Sequence, residues 1–153
     1  MKNFKYLLTI IVCLIFFNFS NARAGLTFHG GYTFETFKGQ KVAAAYISIF
    51  NNTKSDITIE DIQTIICKSA EIHSSIIDKD VMRMKKENSL TVKANDQYYF
   101  QPGGTHVMLM GLNKQLIKGT SFILKFKISN GDILETKIMV LDNKLRENLL
   151  EIK

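Results

Sequence analysis

The sequence predicts an all-β domain, an antiparallel sandwich or barrel, and three observations carry that prediction. Its apolar residues recur at a period of two over short runs, as in half-buried strands. The runs are separated at short, even intervals by Gly, Asn, Asp and Pro clusters of the kind that turn a chain. No segment sustains a long helical period. With 153 residues and 46% hydrophobic content, the chain is long enough for one domain with one sizeable core.

The elements follow in order. Thr27 to Phe37 is rich in Thr, Tyr and Phe, and Gly30-Gly31 interrupts it with an expected bulge or bend. Lys38-Gly39-Gln40 is a turn, and Val42 to Phe50 (VAAAYISIF) alternates as a strand. Asn51 to Asp56 is a polar turn cluster, followed by an alternating strand from Ile57 to Ile66. Shorter strands are expected over Glu71–Ile77 and Val81–Lys86, turned at Asp78-Lys79-Asp80. Gln97 to Gln101 is aromatic and strand-like. Pro102-Gly103-Gly104, with the single proline of the chain, marks a sharp turn before a strand over Val107–Leu112. Phe122–Ile128 and Ile133–Leu141 flank Asn130-Gly131-Asp132, a strong hairpin signal. Residues 142–153 form a charged tail in which Leu145, Leu149 and Leu150 suit one face of a short helix.

The first 24 residues read differently. Lys2 and Lys5 precede an apolar run from Tyr6 to Phe17, and Ala22-Arg23-Ala24 supplies a small-x-small cleavage motif before Gly25. This is the pattern of a secretory signal peptide, and the run is shorter than the roughly 20 residues a membrane span needs. Residues 1–24 are therefore expected to be a cleaved leader, 25–141 the β domain, and the protein exported. Cys13 lies inside the apolar run without a small residue before it, so lipidation there is not expected. Loss of Lys2, Lys5 and Arg23 lowers the net charge of +6 to +3. That mild excess, scattered among acids, argues against a nucleic-acid partner. Cys67 is then alone, which excludes an internal disulfide, and its apolar setting suits a buried, inert thiol.

The chemistry concentrates between His73 and Met110. This stretch holds two of the three histidines, and Met82, Met84, Met108 and Met110 among the six methionines. Residues i and i+2 of a strand share a face, so His106, Met108 and Met110 project together, as do Met82 and Met84. Taken singly, a methionine at strand spacing is more often packing and a histidine more often structural. Their joint occurrence suits a soft metal ion, above all Cu(I), whereas Zn(II) favours thiolates or more nitrogen and carboxylate. Thioethers also bind without deprotonation and cannot be lost to disulfides outside the cytosol. There is no HExxH, CxxC or EF-hand pattern, nor a nucleophile with a positioned base, so an enzyme is not expected.

The spacing His73-x10-Met84-x21-His106-x-Met108 resembles that of the periplasmic Cu(I) chaperones of the PCu(A)C type. The segments PGGTHVMLMGL at Pro102–Leu112, AAAYISIFNN at Ala43–Asn52 and Leu116-Ile117-Lys118-Gly119 extend the resemblance from about Tyr32 to Val140. It implies a cupredoxin-like β-sandwich or Greek-key barrel. It implies one Cu(I) per chain, held by His73, Met84, His106 and Met108, with Met82 and Met110 outside the spacing. It further implies a monomer that delivers copper to the copper-site subunit of cytochrome c oxidase, beside thioredoxin-like assembly proteins, and meets the membrane only through those clients. Ser74 stands where the family often has Met. The tail has neither His nor Met, so a second copper is not expected; His29 is read as incidental.

Three rivals remain at this stage. A periplasmic copper-buffering or resistance protein would present the same site. An electron-transfer cupredoxin needs a thiolate near the last His and Met, which Cys67 does not provide. A metal-free adhesion sandwich would use the same residues for packing.

Overall fold

The computed structural model describes residues 25–146 except 79 and 80, and within that span leaves out the side chains of residues 77, 78 and 82. The leader, the centre of the turn expected at Asp78-Lys79-Asp80, the Met82 side chain, Leu149 and Leu150 lie outside the described residues. Among these residues the chain is nearly all β, with strands β1 (Leu26–Phe34), β2 (Val42–Asn51), β3 (Ile57–Gln63), β4 (Ser69–Asp78), β5 (Val81–Glu87), β6 (Leu90–Val92), β7 (Gln97–Phe100), β8 (His106–Met110), β9 (Ser121–Ile128) and β10 (Ile133–Leu141). Residues 143–146 are helical.

Seven strands close on themselves in the order β4-β8-β2-β1-β10-β9-β3, and β3 returns to β4 through Ile62 and Ala70. The all-β class and the barrel are as the sequence predicts. Closure makes the barrel mixed, because β1 runs parallel to β10 with Tyr32 opposite Met139. β5, β6 and β7 pair with β4, β3 and β2 respectively.

Alternation decides what faces inward. β9 reads exposed-buried over its whole length, placing Phe122, Leu124, Phe126 and Ile128 in the core. Ala45, Ile47 and Ile49 of β2 and Val107 and Leu109 of β8 meet them from other walls of the same core. Phe28 stacks on Phe126 with ring centroids 4.7 Å apart. Burial of each large aliphatic side chain contributes roughly 1.5–3 kcal/mol.

The turn chemistry is carried by a few polar side chains. Asn51, first residue of the expected polar turn cluster, is buried and satisfied: its amide donates to Ser55 O and Val92 O, and its oxygen accepts from Thr53 N and Oγ1. The Gly30-Gly31 bulge is present, as a register shift in β1 between His29 and Tyr32. Two expectations need correction. The strand expected to reach Ile66 ends at Gln63, because 64–68 must turn back to β4. Asn113 accepts that turn, donating from Nδ2 to Ile65 O and from its backbone to Ile66 O, which leaves Ile65 outside and Ile66 inside. The short β6 was not expected; three residues are too few to display a period.

Candidate metal centre

His73 and His106 are direct cross-strand partners in the β4–β8 ladder, with ring centroids 6.1 Å apart. Both occupy outward positions, since their neighbours Ile72 and Val107 are in the core. The same parity puts Met108 opposite Glu71 on one side and Ala44 on the other. On the other flank of β4, β5 sets Met84 opposite Ser75 and Lys86 opposite His73. Three adjacent strands thus bring the predicted residues to one outer patch.

His106, Met84 and Met108 line a single cleft of about 310 Å³, together with Phe34, Tyr46 and Arg146. His73 adjoins it through the His106 ring and is not part of its wall. Despite its outward position His106 is only 5% exposed, while Met84 is 59% exposed. Tyr32, Phe34 and Tyr46 pack ring against ring over the neighbouring strands, and Tyr46 lies 6.5 Å from the His106 ring. Burial pushes the Tyr46 hydroxyl above its ordinary pKa, opposed by the Arg146 charge. The cleft therefore has the Phe34 and Tyr46 rings on its β1–β2 side, with Glu35 and Gln40 at the connection between those strands, and is open to water at Met84.

The turn before β8 aims His106. Gly104 N donates to Gln101 O at 3.0 Å, and Gly103 has φ of 78°, as a type II turn with Pro at its first corner requires. The Gly104 carbonyl then accepts from His106 Nδ1 at 3.1 Å and from Ser75 Oγ at 3.3 Å. With Nδ1 engaged, the lone pair of His106 is on Nε2. His73 is held the other way round. Its Nε2 meets Glu71 Oε2 at 3.1 Å, and its Nδ1 is buried without a hydrogen-bond partner. Glu71 Oε1 accepts from Lys86 Nζ at 2.9 Å. The hydrogen bonds from His73 and then Lys86 hold the Glu71 carboxyl below the usual carboxylate range.

Two imidazoles with a free lone pair each, beside two thioethers, form a donor set for a soft ion. Among the described residues no three His, Cys, Asp or Glu side chains gather as a metal site. Met110 shares the outward face but sits opposite Ser69 and Val42, away from the histidine pair. Cys67 is buried, donates to Ser69 O at 3.2 Å, and burial raises its pKa, as expected of an inert thiol. His29 lies before the β1 bulge, edge-on to Phe50, and does not line the cleft. Sequence reasoning passed over Glu71, although Glu-x-His in a strand puts both side chains on one face. It passed over Tyr46 and Ser75 as site neighbours, because only the strand register brings them in.

The barrel with this outer patch has the fold of the PCuAC domains. The copper-bound PCuAC domain from PmoF2 superposes with a TM-score of 0.66 at 14% identity, covering 77% of this chain and 93% of that one. The Cu(I) form of DR1885 from Deinococcus radiodurans gives a TM-score of 0.59 at 25% identity, covering 81% and 84%, and its apo form gives 0.61 at 24%, covering 80% and 82%. By sequence the chain belongs to the LpqE-like family, whose model, described as "Putative lipoprotein LpqE-like", matches residues 20–140. A relative from Leifsonia xyli subsp. xyli, "Putative lipoprotein Lxx21020", is 23% identical over 105 residues, which is 68% of this chain and 63% of that protein's length.

Proposed function

We propose that this protein is an exported copper carrier that binds one Cu(I) through His73, Met84, His106 and Met108. It releases the ion to the copper site of cytochrome c oxidase during assembly, and works as a carrier instead of an enzyme. The observation that carries this reading is the cross-strand pairing of His73 with His106 beside a cleft that both Met84 and Met108 line. Soft thioethers and neutral imidazoles hold Cu(I) without a competing proton on sulfur. The exposure of Met84 offers an edge from which ligands can be exchanged one at a time with a recipient.

Support comes also from the neighbours in fold, two of which are named for bound copper or Cu(I). Export to the periplasm rests on the N-terminal leader pattern, and the family and the Leifsonia relative are both named as lipoproteins. The test is a Cu(I) titration against a competing chelator, with His106→Ala and Met108→Ala alongside. Tight one-to-one binding, lost in both variants, is the expected result; equal binding by all three proteins sinks the reading. Delivery is then tested by mixing the loaded protein with an apo oxidase copper domain. No transfer at equilibrium, together with copper sensitivity and intact oxidase in a deletion strain, would favour copper buffering.

A further inference from the structure

We infer that Glu71, pinned by Lys86, is the residue that decides which nitrogen of His73 meets the metal. Glu71 fixes His73 as the Nε2–H tautomer and thereby presents Nδ1, whereas His106 presents Nε2. The inference deepens the copper reading and rests on it for the loaded protein alone.

The geometry runs one way. An ionised carboxylate only accepts, so the 3.1 Å contact between Glu71 Oε2 and His73 Nε2 requires the proton on Nε2. A nitrogen carrying that proton has no lone pair for a metal. The remaining nitrogen, Nδ1, is buried and has no hydrogen-bond partner. Buried polar atoms are rarely left so, and the loss is costly unless something else fills the role. A metal ion does. On His106 the assignment is reversed: Nδ1 donates to the Gly104 carbonyl and Nε2 keeps the lone pair.

Glu71 is well placed to be a ligand itself, since it is the register partner of Met108. Its second oxygen is taken by Lys86 at 2.9 Å, and Lys86 is the register partner of His73 on the other flank. With Oε2 on His73 and Oε1 on Lys86, the carboxylate acts as an orienting group and is withheld as a hard oxygen donor. The ligand set stays nitrogen and sulfur, which suits a soft ion.

The test reads ring nitrogens directly by NMR on protein with ¹⁵N-labelled histidine, above the ordinary histidine pKa range. In the metal-free protein, His73 is expected as the Nε2–H tautomer and His106 as the Nδ1–H tautomer. On adding Cu(I), the shift should fall on His73 Nδ1 and His106 Nε2. Glu71→Ala should mix the His73 tautomers and weaken Cu(I) binding about 10–100-fold, the usual cost of losing such a partner. Glu71→Gln alone should not restore them, because Lys86 competes for the single amide oxygen and leaves the amide NH₂ facing His73 Nε2. Glu71→Gln with Lys86→Met, whose amide oxygen is free to accept from His73, should restore most of both. An Nδ1–H tautomer of His73 without metal, or a Cu(I)-induced shift on His73 Nε2, overturns the inference. So does a Glu71→Ala variant with unchanged tautomer and affinity while its melting temperature matches wild type. Failure of wild type to bind Cu(I) would instead strike the copper reading, and the metal-free spectrum would still decide the tautomer.

Discussion

The outer faces of β9–β10 and of β4–β8 are built by the same alternation and filled by opposite logic. On β9 and β10 the outward positions are mostly exposed, and beside Ile123, Ile133 and Met139 they carry ions: Lys125 pairs with Glu135 at 2.7 Å, and Lys127 reaches Glu60 of β3 at 3.8 Å. On β8 the outward positions are His106, Met108 and Met110, and none of them is fully exposed. The β5 strand on one side and the Tyr32–Phe34–Tyr46 cluster on the other shield that face. The difference teaches where to look for a site on a barrel. An outward position is expected to be wet and charged, so an outward histidine that is nearly buried marks a surface shaped for something other than solvation.

Removing a histidine from the shielded face should have the largest effect. His106→Ala should cost more Cu(I) affinity than the about 10–100-fold typical of an outer partner, because it removes a proposed ligand nitrogen together with the hydrogen bond to the Gly104 carbonyl. Chelator competition measures it, and retention of wild-type affinity would erase the distinction between the two faces. Acid should likewise release copper, because a protonated imidazole offers no lone pair; circular dichroism is expected to stay constant while bound Cu(I) falls.

Leu109 lies between two outward methionines and is fully buried. Leu109→Ala should lower stability by about 2–5 kcal/mol, read by chemical denaturation. Copper affinity in the folded variant should change little, and a large change would mean that the core and the outer patch are one mechanical unit. Met84→Leu reverses the pattern. The exposed side chain keeps its bulk and loses its sulfur, so stability should hold while Cu(I) affinity drops on the order of tenfold, a step of about 1.4 kcal/mol.

Much of this contrast was legible in the sequence, and the reasons differ by element. Long alternating runs such as Phe122–Ile128 announced their strands because period two is visible over that length. The Asn130-Gly131-Asp132 hairpin and the Pro102-Gly103 turn were legible because only a few residues tolerate those backbones. Parity also predicted that His106 and Met108 share a face. Register between strands distant in sequence was not legible from periodicity. Nothing local says that His73 faces His106 or that Lys86 faces His73; the histidine–methionine spacing brought the two histidines together by resemblance alone, and Lys86 was not foreseen. The burial of Asn51 was not legible for a related reason: its partner Val92 comes to it only when β2 and β6 are neighbours at one end of the barrel.

The smallest effect belongs to the wet face. Lys125 and Glu135 are each about half exposed, with side-chain accessibilities of 47% and 53%. Water screens such a pair, and holding two long side chains together costs entropy, so the net gain is about 0.2–1 kcal/mol. Glu135→Gln should therefore lower stability by no more than that, and added salt should shrink the difference further. Copper affinity should be unchanged, since β10 touches neither β4 nor β8 in the sheet order. A double-mutant cycle with Lys125→Met isolates the pair from other effects of each substitution. A coupling well above 1 kcal/mol would mean that the ion pair pins the hairpin itself. The two outer faces would then differ in the chemistry they hold and no longer in how much the fold depends on them.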